Sequence, residues 1–128
     1  MIYDQAAFDI RCEWGLAGMR HLARVSDVVI VVDVLSFSTS VEIAVSRGAV
    51  VFAYRWDDET AHDFAVKVDA IVADHKNEAG FNLSPASLID LPGNSRLVLP
   101  SPNGSTICLA AGEAELLIGS LKNCKAVA

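Results

Sequence analysis

Basic residues are scarce in this chain. Across 128 residues there are 10 Lys and Arg against 16 Asp and Glu, a formal net charge of −6. A surface of that sign repels a phosphate backbone, which excludes nucleic acid as the main partner. Acidity leaves room for a small anion, because backbone amides and a metal ion hold one locally. Cysteine is sparse too: Cys12, Cys108 and Cys124, with no C-x-x-C spacing. An odd number without paired spacing argues against a disulfide framework and a zinc ribbon, and for small buried hydrophobes in a reducing cytoplasm. His21, His62 and His75 form no H-x-x-x-H pair, so a zincin is excluded. Also missing is any apolar run near the roughly 20 residues of a membrane span. The stretch from Met1 to Phe8 carries Asp4 and no basic segment, so it does not read as a signal peptide.

What the chain does hold is apolar side chains. They make up 52% of it, sufficient for one core in a single domain over residues 1–128 and incompatible with disorder. Many fall in short solid runs: Val28 to Val32, Ala49 to Ala53, Ala70 to Ala73, Leu97 to Leu99 and Leu116 to Ile118. Apolar at every position, these predict strands buried on both faces. Phe8-Asp9-Ile10 alternates and predicts a further, edge-like strand.

Helical patterns separate the runs. Ala61, Phe64, Ala65 and Val68 make one apolar stripe between Asp57 and Ala70, with Asp57, Asp58 and Glu59 matching the dipole of the first turn. Thr39 and Glu42 read as a capping box for a helix from about Thr39 to Arg47, ended by Gly48. Another runs from about Ser105 to Ala111, stopped by Gly112, and Leu16, Met19 and Ala23 mark an early one. Strands alternating with helices imply an α/β domain with one mostly parallel sheet and helices on both faces. Val28 to Gly48 and Leu97 to Gly112 share the order strand, hydroxyl-rich loop, helix, glycine. Ordinary repetition of βα units accounts for that echo.

In such a sheet ligands bind beyond the carboxyl ends of the strands, and three loops stand there. Asp33 follows five apolar residues and opens the stretch Asp33 to Ser40. A carboxylate at the edge of burial is costly unless paired or on a metal. It reads either as a ligand for a hard cation such as Mg²⁺ or as an acceptor for the N-terminus of the next helix. The second loop, Pro100 to Thr106, has an Asn103-Gly104 turn before Ser105 and Thr106. Glycine admits a ligand to the backbone, and free helical N–H groups attract an anion; a turn leading into an N-cap accounts for the same residues. No lysine completes a P-loop. Third, Asp74-His75 closes the run at Ala70 to Ala73 and suits metal or acid–base work, or a surface cap.

Four motifs together resemble the 2-phosphosulfolactate phosphatase family. They are Asp33-Val34-Leu35 with Ser38-Thr39; Gly80-Phe81-Asn82 with Ser84-Pro85; Asn103-Gly104-Ser105-Thr106; and Gly119-Ser120 with Asn123 and Ala126-Val127-Ala128. The resemblance spans Val28 to Ala128. It implies a three-layer α/β/α fold and Mg²⁺-dependent hydrolysis of a phosphate monoester on a small sulfonated hydroxy acid. It further implies that the chain corresponds to the N-terminal part of a longer domain. Asp33 is then the metal ligand, with Asp74 a second. Ser36, Ser38, Thr39, Gly104, Ser105, Thr106 and Asn123 hold the anionic substrate, and Asn103 orients the ester or a water. The sequence departs from the family where Ser36 stands in place of an arginine and where Ala73-Asp74-His75 stands in place of G-E-R. Arginine is the usual bidentate clamp for phosphate, so the alternative is a non-enzymatic anion-binding or assembly module of the same fold. A sheet matched to a longer chain leaves apolar surface uncovered, which predicts a homo-oligomer, a dimer being the simplest.

Overall fold

A computed structural model describes residues 5–74, 76 and 80–128. Short strands alternate with helices along it. In chain order they are α1 (Gly15–Leu22), β1 (Val28–Val32), α2 (Phe37–Ser46), β2 (Val50–Tyr54), α3 (Glu59–Lys67), β3 (Ile71–Val72), a 3-10 turn (Pro85–Leu88), β4 (Arg96–Pro100), α4 (Gly104–Leu109), β5 (Glu115–Gly119) and α5 (Cys124–Val127). Every strand pair among the described residues is parallel, so the chain has an α/β fold.

The strands hydrogen-bond into two sheets, where the apolar runs predict one. β4 lies between β2 and β3, and β1 pairs with β5 in a separate ribbon, Val28 opposite Glu115 and Val32 opposite Gly119. Helices bridge them: α2 packs on β2 and β5, and α4 packs on β2 and β1. The main core gathers Phe37, Val41 and Ala44 of α2 with Leu97 and Leu99 of β4 and with Leu88 and Leu91. A second core joins Met19 of α1 to Val31 and Ala111. Cys108 and Ile118 touch both, so the two are continuous. Each fully buried leucine adds about 2 kcal/mol.

Burial on both faces holds for β4, where Leu97, Val98 and Leu99 are inaccessible. It fails for β1. Val31 is buried, but Val28, Ile30 and Val32 face solvent. An all-apolar run therefore does not report two covered faces. Phe8 to Ile10 form no strand: the Gln5 amide pairs both ways with the Cys12 backbone, donating to its carbonyl at 2.8 Å and accepting from its N–H at 2.9 Å. The capping box is also absent. α2 begins two residues before Thr39, with Ser36 at its N-cap, and Thr39 Oγ1 donates to Val34 O at 2.8 Å. Glu42 pairs instead with Lys122, 3.0 Å away. Gly48 does end α2, at φ +81°, where an added Cβ would come within 2.9 Å of Asn94 Oδ1. Among the described residues no helix is long and apolar enough to cross a membrane.

Candidate functional site

The turn from β1 into α2 is stitched by one hydroxyl. Ser38 Oγ accepts from Asp33 N at 2.7 Å and donates to Val31 O at 3.3 Å, while Ser38 N donates to Asp33 O at 2.8 Å. Ser36 Oγ and Ser40 Oγ both donate to Leu83 O, at 3.0 and 2.7 Å, which pins the loop after β3 against the start of α2. The backbone and hydroxyls of this turn are thus engaged within the protein. The Asp33 carboxylate is not. It is half-buried and has no hydrogen bond or ion pair among the described residues, so it does not cap α2.

The turn from β4 into α4 repeats the stitch. Ser105 Oγ donates to Leu99 O at 2.8 Å, and Gly104 N donates to Ser101 Oγ at 3.0 Å. Asn103 is exposed at the N-cap, and its side chain makes no capping bond. The two turns touch. A Cβ on Gly104 would lie 2.2 Å from Phe37 Cγ, so the ring opening α2 rests on the glycine opening α4. Electrostatics links them as well. The Cys108 thiol on α4 is pushed up to about 11, chiefly by burial, and the Asp33 charge adds to that rise.

This geometry reassigns several residues expected to hold an anion. Ser38 and Ser105 are completely buried with their hydroxyls on strand carbonyls, so neither presents an oxygen to solvent. Gly104 admits Phe37, not a ligand. Asn123 closes the turn after β5: its Oδ1 accepts from Ser120 N at 2.7 Å and its Nδ2 donates to Ile118 O at 2.9 Å. Ser36 and Thr39 are half-buried and donate to carbonyls. Thr106 Oγ1 is buried without a hydrogen-bond partner. Asp33 and Asn103 are the unengaged polar side chains at the two adjoining turns that reach solvent, and Thr106 is unengaged but buried.

Asp74 belongs to a different neighbourhood. Its Oδ1 accepts from Lys76 N at 2.8 Å, and its Oδ2 faces His62 Nε2 at 3.3 Å. With Asp57, Asp58, Glu59, His62 and Lys76 it lines a cavity of about 50 Å³ at the start of α3. Neither Asp33 nor Asn103 lines that cavity. Among the described residues no group of three or more His, Cys, Asp or Glu side chains is arranged to hold a metal ion. His75 lies outside the described residues. His62 is a side chain that no sequence motif singles out. Its one signal is position: it sits in the first turns of the helix after β2, on the carboxyl side of the strands, among acidic residues that also suit the helix dipole. A larger cavity of about 300 Å³, lined by Arg20, Arg24 and Glu113 with small residues, sits past the far end of α4 from Asn103.

Of the two carboxylates expected to hold Mg²⁺, Asp74 is engaged by the Lys76 N–H and by His62 and Asp33 has no hydrogen bond or ion pair, and among the described residues they do not join in one metal-holding group. That ion keeps several waters and is commonly held by one or two carboxylates plus phosphate oxygens. Compared with protein-family models, curated proteins and solved structures, the chain matches none.

Proposed function

We propose that the chain is a Mg²⁺-dependent phosphomonoester hydrolase of the cytoplasm, acting on a small anionic substrate of the 2-phosphosulfolactate kind. The observation that carries this reading is the half-buried Asp33 carboxylate, left without a partner beside the turn that presents Asn103. A half-buried carboxylate with no partner of its own is a ligand open to a hard cation. Bound there, Mg²⁺ supplies neutralisation of phosphate charge and activation of a water. Asp33 holds the cation, and the exposed Asn103 amide orients an ester oxygen or a water. The joint resemblance of the four motifs supports the substrate class. Three cysteines free of disulfides suit a reducing compartment.

The experiment is release of phosphate from a simple aryl phosphate, with Mg²⁺ and with a chelator. Release should require the metal, and Asp33→Asn should lower it by about a hundredfold, since a catalytic cation supplies several kcal/mol. No release with any divalent metal would remove the hydrolase reading. It would leave the second one, a non-enzymatic module that binds an anion or assembles into a homo-oligomer. The assembly form of that second reading, and not the anion-binding form, is favoured by a specific finding: Ser38, Ser105, Gly104 and Asn123 serve the turns themselves.

A further inference from the structure

Most arginines of this chain are engaged by the fold. Arg11, Arg47 and Arg96 each donate to a backbone carbonyl, and Arg55 lies over the Trp56 ring. Arg20 and Arg24 differ: neither has a hydrogen bond, ion pair or ring contact among the described residues. Both line the same cavity, the one of about 300 Å³. Arg20 stands in the last turn of α1 and Arg24 just past its C-cap, Ala23, so the two are one helical turn apart. Met19 of α1 and Ala111 share the smaller core, which sets this end of α1 beside the turn that follows α4. That turn, closed by Ala114 N donating to Ala111 O at 3.3 Å, carries Glu113. Glu113 lines the cavity too, and its carboxylate also has no partner among the described residues. Two cations and one anion therefore surround one space without neutralising one another, and the lining is net positive in a chain of net charge −6. Helices end here in carbonyl oxygens, so the attraction for an anion comes from the arginines.

We propose that this cavity is a binding site for inorganic phosphate. The guanidinium forks of Arg20 and Arg24 match its anionic oxygens. Glu113 selects among oxyanions. A carboxylate accepts hydrogen bonds and donates none, so it repels an oxyanion unless that ion brings a proton. Inorganic phosphate keeps a P–OH at neutral pH and donates it to Glu113. Sulfate has no such proton, and a phosphomonoester, with a second pKa of about 6, has lost its own. An unpaired charge set against the wrong ligand is what gives the site its specificity. At about 300 Å³ the cavity takes the ion with water beside it. The proposal holds whether or not Asp33 serves catalysis.

Calorimetric titration tests it, with a chelator present so that no metal bridges phosphate to Asp33. The native chain should bind one inorganic phosphate. Sulfate and glycerol phosphate should bind at least about tenfold more weakly, because they leave Glu113 unpaired. Arg20→Gln and Arg24→Gln should each weaken phosphate binding by about tenfold or more, the worth of a charge-assisted hydrogen bond. Glu113→Gln, whose amide donates, should bind sulfate as well as it binds phosphate. These three side chains are exposed, so the variants should keep the native far-ultraviolet circular dichroism spectrum. Asp33→Asn should bind phosphate as the native chain does. No binding up to millimolar phosphate would overturn the proposal. So would equal affinity of the native chain for phosphate and sulfate, or phosphate binding that survives loss of both arginines. Loss of binding in Asp33→Asn would also overturn it, by moving the ion to the other site.

Discussion

In the β1–α2 turn, a serine in the first turn of the helix bonds the carbonyl of the strand's penultimate residue, Ser38 to Val31; in the β4–α4 turn, Ser105 does the same to Leu99. Both serines are fully buried. The turns differ in the residue that succeeds the strand. After β4 comes Ser101, whose hydroxyl accepts the Gly104 N–H, so that turn is closed on itself. After β1 comes Asp33, whose main chain joins the stitch while its carboxylate stays unengaged. The comparison separates two kinds of polar residue that look alike in a sequence. Hydroxyls in both turns hold strand to helix, and the one unspent charge marks where chemistry is to be sought.

The contact between the turns is the first place to break the comparison. Gly104→Ala forces a methyl into the Phe37 ring at 2.2 Å, which the rigid end of two helices cannot absorb. Stability should fall by about 3 kcal/mol, read from urea unfolding. Next come the stitches. Ser38 makes two bonds through its hydroxyl, and Ser105 makes one. Leaving buried backbone groups unpaired should cost about 2 kcal/mol in Ser38→Ala and about 1 kcal/mol in Ser105→Ala. Equal losses would mean that the Asp33 N–H finds another partner.

A smaller effect links the turns through charge. The Cys108 thiol is raised from an ordinary 9.0 to about 11 by burial, with Asp33 contributing. A thiol raised on folding favours the native state while it stays neutral. Its stabilisation is complete below about pH 9 and is lost as the pH climbs towards about 11. Unfolding monitored between these limits should show that loss, and Cys108→Ala should flatten it. In a chain whose Cys12 and Cys124 are replaced by serine, Asp33→Asn should lower the titration of Cys108, measured by thiol alkylation against pH.

Much of the fold was legible because periodicity survives folding. Val28 to Val32 is β1 as read, and Gly48 at positive φ directly follows the C-cap of α2, whereas Gly112 lies beyond the end of α4, which stops at Leu109 with Ala110 as its C-cap. Sheet number was not legible. Pairing of β1 with β5 joins segments separated by most of the chain, and no local pattern encodes it. Nor was the bare face, since an apolar strand looks the same whether one side is covered or both. The places of Asp33 and Asn103 in the turns that follow β1 and β4 were readable from the apolar runs before them. The inward direction of Ser38 and Ser105 was not, because a hydroxyl that binds an anion and one that binds a strand carbonyl occupy the same position in a βα unit. The pairing of Asp74 with His62 was not legible either, because that partner comes from a helix earlier in the chain, and the cavity the two line is not lined by Asp33 or Asn103.

Thermal unfolding with and without Mg²⁺, at one protein concentration, for the native chain and for Asp33→Asn, tests the central claim most directly. If the unengaged carboxylate holds the cation, Mg²⁺ at about ten times its dissociation constant adds roughly 1.4 kcal/mol to the native chain, a rise of about 5 °C in Tm. Asp33→Asn without metal should melt at about the temperature of the native chain, since the half-buried carboxylate makes no hydrogen bond or ion pair to lose, and should not respond to Mg²⁺. Equal rises in both proteins, or none in either, would contradict the assignment of Asp33 as the metal ligand.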